Sequence, residues 1–215
     1  MSSPSPKLST PQDEIKKSRT VKPLVVGLAG GVASGKSTVA ALFRKWGARV
    51  VDADALGHRL LDAPSVRARL VRLFGPGLLR GRRIDRRALA VEAFRSRRSV
   101  ERLNRTVHPA ILRAIRSEIR RTRGMIVLDA ALLYETGADA LCDRVVYVDL
   151  PRAERARRAR SRGWAPGELA RRERFQLPTA YKRKRADYVI DNAKTRARTT
   201  SHAKEIFDGL RKLVR

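Results

Sequence analysis

Between Gly30 and Ser37 the chain reads Gly-Gly-Val-Ala-Ser-Gly-Lys-Ser, which has the Gly-x-x-x-x-Gly-Lys-Ser spacing of a phosphate-binding loop. Glycines there let successive backbone N–H groups turn inward with no Cβ in the way. The same groups open a helix, whose positive end favours an anion. Lys36 is spaced to reach β- and γ-phosphates, and the Ser37 hydroxyl to ligate Mg²⁺. Gly31, Val32, Ala33, Ser34, Gly35 and Thr38 complete the candidate nucleotide cradle. An apolar run, Leu24–Leu28, leads into the loop, and an apolar helical pattern follows it. With loop and flanks both in place, the expectation is a nucleoside triphosphate site, not a glycine-rich turn that binds nothing. The loop alone leaves open whether the γ-phosphate goes to water, to a small molecule or to a protein.

Four aspartates follow apolar runs that read as strands: Asp52 and Asp54 after Arg49–Val51, Asp129 after Met125–Leu128, and Asp149 within Arg144–Leu150. Strand ends are where such folds bind ligands. Transfer to a hydroxyl needs a carboxylate that orients the attacking oxygen and takes its proton. Asp54 is the candidate base, although it could also cap the helix that follows. Asp52 is expected to support the loop or act through metal-bound water, and Asp129 to lie beside the metal. Arg158 and Arg162 stand one helical turn apart and could close over phosphates like a lid. Their neighbours Arg152, Arg155, Arg157 and Arg160 prevent composition from singling them out.

These residues need a scaffold, and apolar patterning supplies one. Strands are expected at 24–28, 49–52, 125–129, 144–150 and 187–191, with helices at 37–46 and 200–213. Residues 55–123 read as helical, broken at Pro64, Gly75–Gly77, Gly81 and near Pro109, and 153–185 as two helices around Gly163–Gly167. Alternating strands and helices make an α/β fold with a mainly parallel, five-stranded sheet. Residues 1–22 lack hydrophobic periodicity and are expected to form a flexible extension, with the folded domain at 23–215.

The chain has 215 residues, 42% of them hydrophobic but only 5% aromatic, which suits an aliphatic core between sheet and helices. No apolar run has the length of a membrane span and no signal peptide is visible, so no membrane partner is expected. Cys142 is the only cysteine, which excludes an internal disulfide, points to the reducing cytoplasm and reads as core packing. Lys and Arg number 49 against 21 acidic residues, a net charge of +28. No nucleic-acid-binding pattern accompanies this excess. It is expected to serve as solvated helix faces and to steer phosphorylated substrates, with nonspecific polyanion adhesion and no specific nucleic-acid recognition.

The loop followed by Val50-Val-Asp52-Ala-Asp54 resembles the dephospho-coenzyme A kinase family, whose members phosphorylate the ribose 3′-hydroxyl of dephospho-CoA. Phe74-Gly75, Ile84-Asp-Arg-Arg-Ala-Leu89, Leu103-Asn-Arg-Thr-Val-His-Pro109 and Leu128-Asp-Ala-Ala-Leu-Leu-Tyr-Glu135 follow the family in order. Arg158, Arg162, Gln176 and Asp187-Tyr-Val-Ile-Asp-Asn192 extend the likeness over residues 24–195. The resemblance implies a P-loop three-layer fold, ATP and Mg²⁺, a helical acceptor-binding insertion at 55–123 and a basic lid at 152–185. It implies acceptor contacts from Asp52, Arg86, Arg105, His108, Leu132 and Glu135, and places Gln176 and Asn192 near the lid and the adenine. Glu135 could instead cap a turn. The chain departs from the family at Ala29 (usually Thr), at Arg155 (usually Gln) and at Ala193-Lys194 (often a glycine). Two other readings compete: a P-loop kinase of a nucleoside, nucleotide or other small acceptor, and a nucleic-acid-binding protein switched by a nucleoside triphosphate.

Overall fold

Every residue of β1 (Leu24–Gly30) is buried, with Leu24, Val26 and Leu28 packing into one cluster and Val25 and Ala29 into another. Burial on both faces is the condition of a central parallel strand. The computed structural model describes residues 22–93 and 95–214. The expected N-terminal extension falls on residues 1–21, outside the described residues, while Lys22 pairs with Asp143 at 3.1 Å.

After β1 come α1 (Lys36–Lys45), β2 (Arg49–Asp52), α2 (Ala53–Leu60), α3 (Pro64–Phe74), β3 (Leu79–Arg80), β4 (Arg83–Ile84), α4 (Arg86–Ala93) and α5 (Arg97–Arg121). β5 (Met125–Asp129), β6 (Arg144–Asp149), α6 (Arg152–Ser161), α7 (Glu168–Glu173), α8 (Thr179–Lys184), β7 (Tyr188–Asp191) and α9 (Arg196–Arg211) complete the order. The main sheet has five strands in the order β2-β5-β1-β6-β7, all parallel. Its register sets Leu28 and Asp52 opposite Asp129, and Gly30 opposite Val148. The carboxyl ends of β2 and β5 therefore lie level with the start of the glycine loop.

One face of the sheet is closed by α1 and α9, where Phe43 meets Phe207 edge-on at 5.2 Å and Trp46 approaches it at 5.4 Å. The other face packs against Ala53 of α2 and Ile115 of α5. A third cluster, around Leu70, Leu78, Ile84, Leu89 and Val107, ties α3, α4 and α5 together beside the sheet. Among the described residues no helix is long and apolar enough to cross a membrane.

The α/β class and the parallel five-stranded sheet agree with the expectation, and several local features differ. β1 runs two residues further, to Gly30, and α9 starts at Arg196, where the Thr195 side chain accepts from Arg198 N–H. Gly81 and Arg82 turn the chain into an antiparallel hairpin of β3 and β4. Three short helices, not two, occupy 152–184, because Pro178 starts a new one. Asp54 is not at a strand end; it lies in the first turn of α2. Pro109 does not break the chain but sits inside the 25-residue α5. Pro109 is exposed, so the carbonyl deprived of an N–H can be hydrated, while Val107, Ala110 and Ile115 anchor the other side.

Restoring that hydrogen bond should stabilise the fold. Pro109→Ala is expected to raise unfolding free energy by about 1–3 kcal/mol, read from the urea midpoint at unchanged m. A lower midpoint would mean that the proline shapes α5 for its packing.

Candidate active site

The loop between β1 and α1 turns on two residues in the left-handed region, Ala33 (φ 62°) and Gly35 (φ 93°). A Cβ at Gly35 would run into the Asn192 side-chain amide and come within 2.9 Å of Arg158. These two residues hold the outer side of the loop. The Asn192 amide donates to Ser34 O at 2.6 Å; Arg158 donates to Ser34 O at 3.4 Å and to Asn192 O at 3.0 Å. Asn192 is itself fixed by its N–H on Asp149 O (2.9 Å) and by the Thr199 hydroxyl (3.2 Å). Arg155, 4% exposed, donates to Val32 O at 3.3 Å and Leu150 O at 3.2 Å, and pairs with Glu173 of α7. Its guanidinium lies 3.1 Å from where a Gly31 Cβ would be, so the loop and Arg155 are packed in register.

On the inner side of the loop lies a cavity of about 740 Å³. Residues 31–37 form its floor, and α2, α4 and α5 wall it with Asp54, His58, Arg86 and His108. Leu132 and Arg162 line it from the segments after β5 and α6. Asp54 and His58 are four residues apart on α2 and face the cavity together. The Asp52 side chain accepts from Ala55 N–H at 2.8 Å and caps α2, which leaves Asp54 free of that task. Burial pushes the Asp54 carboxyl above its ordinary range, against the pull of Lys36 and a hydrogen bond from the Ala131 backbone. Burial likewise lowers the pKa of Lys36, opposed by Asp54 and Asp52; its ammonium pairs with Asp129. Burial also lowers the pKa of His108, so the imidazole is neutral at pH 7.

Several expected contacts lie outside the cavity. Thr38 is exposed on α1, Asp52 serves as the cap, and Arg105 is exposed on α5 outside the cavity lining. Arg158 and Asn192 face the loop carbonyls. Glu135 does not line the cavity. Its Oε1 accepts from Leu177 N–H (2.8 Å) and pairs with Lys182 (2.7 Å), while Oε2 is buried and unpartnered. Lys182, 1% exposed, also donates to Gln176 Oε1 at 3.0 Å, so this pair secures the α7–α8 segment. Sequence reasoning missed Lys182, and nothing in its basic neighbourhood distinguishes it. His58 did carry a signal, its i+4 spacing from Asp54. Arg155 carried one as the departure from the family's glutamine.

A glycine loop leaving the central strand of a parallel sheet, a lysine over it and a carboxylate across the cavity define a P-loop kinase. The same fold occurs in the shikimate kinase from Acinetobacter baumannii, with a TM-score of 0.54, 14% identity, and coverage of 90% of this chain and 96% of that one. This chain belongs to the dephospho-CoA kinase family, whose sequence model matches residues 24–197. It is 40% identical over 172 residues to the dephospho-CoA kinase of Thermus thermophilus, covering 79% of this chain and 83% of that one. The crystal structure of TT1252 from Thermus thermophilus is similar as well, with a TM-score of 0.79, 36% identity, and coverage of 87% and 97%.

Removing the Arg155 guanidinium should free the Val32 and Leu150 carbonyls and leave Glu173 with the exposed Arg152 as its partner. Arg155→Ala is expected to destabilise the fold by about 2–4 kcal/mol in urea and to weaken nucleotide binding in calorimetry. Unaltered nucleotide affinity in a folded variant would show that the loop keeps its shape without this support.

Proposed function

We propose that this protein transfers the γ-phosphoryl group of ATP to the ribose 3′-hydroxyl of dephospho-CoA, giving coenzyme A and ADP. One observation carries this most directly: a single cavity runs from the phosphate loop past Asp54 to the helical wall of Arg86 and His108, in a chain of this family. The inward N–H groups of residues 31–37 and the Lys36 ammonium bind the β- and γ-phosphates. Asp54 orients the attacking hydroxyl and accepts its proton as the new O–P bond forms. Its raised pKa makes it a stronger base than an ordinary aspartate. Neutral His108, with Arg86 and Leu132, shapes the acceptor end, and Arg162 stands at the cavity where charge on the phosphates needs neutralising. The helical wall of α2 to α5 then serves as the acceptor-binding insertion, and α6 to α8 as the lid that excludes water.

The residues at the loop also suit Mg²⁺. The Ser37 hydroxyl and the Asp129 carboxylate are hard oxygen donors beside the cradle. No group of three or more His, Cys, Asp or Glu forms a metal cage among the described residues. That is the setting for an ion held jointly by protein and substrate phosphates, which is how Mg²⁺ is usually bound. Held by Ser37 and Asp129, it would supply positive charge against the charge that develops on the phosphates during transfer.

ADP formation from Mg-ATP should depend on dephospho-CoA and not on a panel of nucleosides and nucleotides. Response to a panel member alone would replace the acceptor assignment. Asp54→Asn is expected to lower kcat by about 10²–10⁴-fold. Its melting temperature should not fall, because a charge that the fold disfavours has been removed. The pH profile supplies a separate check. Asp54 must be ionised to act, so kcat/KM should decline with falling pH through a limb above the ordinary aspartate range, and Asp54→Asn should abolish that limb. An acid limb that persists in the variant would assign the proton to another group.

A further inference from the structure

Helix α5 has two faces with different tasks. Leu103, Val107, His108 and Ile111 look toward the cavity or the core beside it. Arg98, Arg102, Arg105, Arg113, Arg116 and Arg120 recur at intervals of three and four, with Pro109 completing the series, and all are exposed. At 100° per residue they occupy an arc of about 80°, and at 1.5 Å rise they extend over about 33 Å. They form one straight stripe of guanidinium groups.

Elsewhere on the surface some arginines meet acids, as Glu154 with Arg157, Glu168 with Arg171 and Arg172, Asp149 with Arg183, and Asp139 with Arg185. Others, such as Arg44, Arg69 and Arg160, stand without one; only on α5, among the described residues, do six unpaired arginines recur at helical spacing along one face. On α5 the two acidic residues lie off the stripe, Glu101 paired with Arg97 and Glu118 with Arg49. None of the six stripe guanidiniums has an ion-pair or hydrogen-bond partner among the described residues. Like charges at i, i+3 and i, i+4 destabilise a helix, and here they are retained without compensation. An external polyanion removes that conflict. The stripe cannot be acceptor machinery, since the cavity is lined by the other face of the helix.

The character of the polyanion follows from what the stripe lacks. No exposed large hydrophobic residue lies on α5, so there is no apolar edge to enter a lipid surface. No aromatic residue interleaves the arginines, so there is no stacking platform for unpaired bases. A rigid line of guanidiniums suits regularly spaced phosphates, read by charge alone. We infer that the outer face of α5 is a sequence-independent docking surface for the phosphate backbone of double-helical nucleic acid. This interaction does not depend on the catalytic assignment, and its readout is separate from turnover.

The test is fluorescence anisotropy of the full chain with a labelled 20-base-pair duplex of random sequence, over a salt series. Binding should appear at low salt, with log K falling against log salt at a slope of about −3 to −5. Arg113→Gln/Arg116→Gln/Arg120→Gln should raise Kd at least about tenfold and flatten the slope by about 2 to 3. A control that removes equal charge from α9, Arg196→Gln/Arg198→Gln/Arg211→Gln, should leave Kd within about twofold. Both triple variants should keep the ADP-forming activity of the parent, as a check of folding. Equal loss in the two variants would overturn the docking surface in favour of diffuse charge. Absence of duplex binding, or stripe-dependent binding to phosphatidylserine vesicles instead, would overturn it too. So would a stripe variant that leaves duplex binding intact but lowers kcat/KM for the acceptor in a salt-dependent way, which would make the stripe a substrate-steering device.

Discussion

A backbone loop that turns its N–H groups inward to hold phosphate must turn carbonyls outward, and buried carbonyls need donors. The outer side of this loop has Val32 O and Ser34 O, met by Arg155, Arg158 and Asn192. All three donors come from the last third of the chain, more than a hundred residues away. Phosphate recognition on the inside therefore depends on packing of α6 and the end of β7 on the outside. Gly31 and Gly35 are part of the same constraint, since side chains there would meet those donors. The demand explains why Arg158, which by its spacing looks like a phosphate ligand, is spent on the backbone while Arg162 lines the cavity.

Burial sets the chemistry on the other side of the loop. Asp54 and Lys36 are both pushed toward neutrality by desolvation and back toward charge by each other. Division of labour between adjacent carboxylates makes this workable. Asp52 takes the helix cap and Asp129 the lysine, so Asp54 is left to face the cavity. The same economy appears in α5, whose inner residues wall the cavity while its outer arginines have no ion-pair or hydrogen-bond partner among the described residues. Glu135 and Lys182 form a third such device, pinning the α7–α8 segment at the cavity's edge.

Much of the fold was legible because local rules were obeyed. The strands announce themselves as short aliphatic runs, and their alternation with helical stretches dictates a parallel sheet. Where expectation and structure part, a local rule met a tertiary override. Pro109 reads as a helix break, yet core contacts on the opposite side of α5 carry the helix through. Asp54 reads as a strand end because the apolar run and the cap residue are contiguous, and only the cap geometry shows that the helix has already begun. Arg105 belongs to a segment shared with the family but lies on the face of α5 turned from the cavity, as the helical period requires.

The sequence by itself determined the glycine loop, its lysine and hydroxyl, the parallel sheet and the family, because each rests on residue types at fixed short spacing. It also determined the excess of arginine, though not its use. Tertiary structure alone decided which arginines brace the loop, which pair with acids and which stand unpaired along α5. It decided as well that the helix face of Asp54 and His58 lines the cavity and that Lys182 is buried against Glu135. These outcomes depend on desolvation and on partners distant in sequence, and a guanidinium or carboxylate carries no local mark of either.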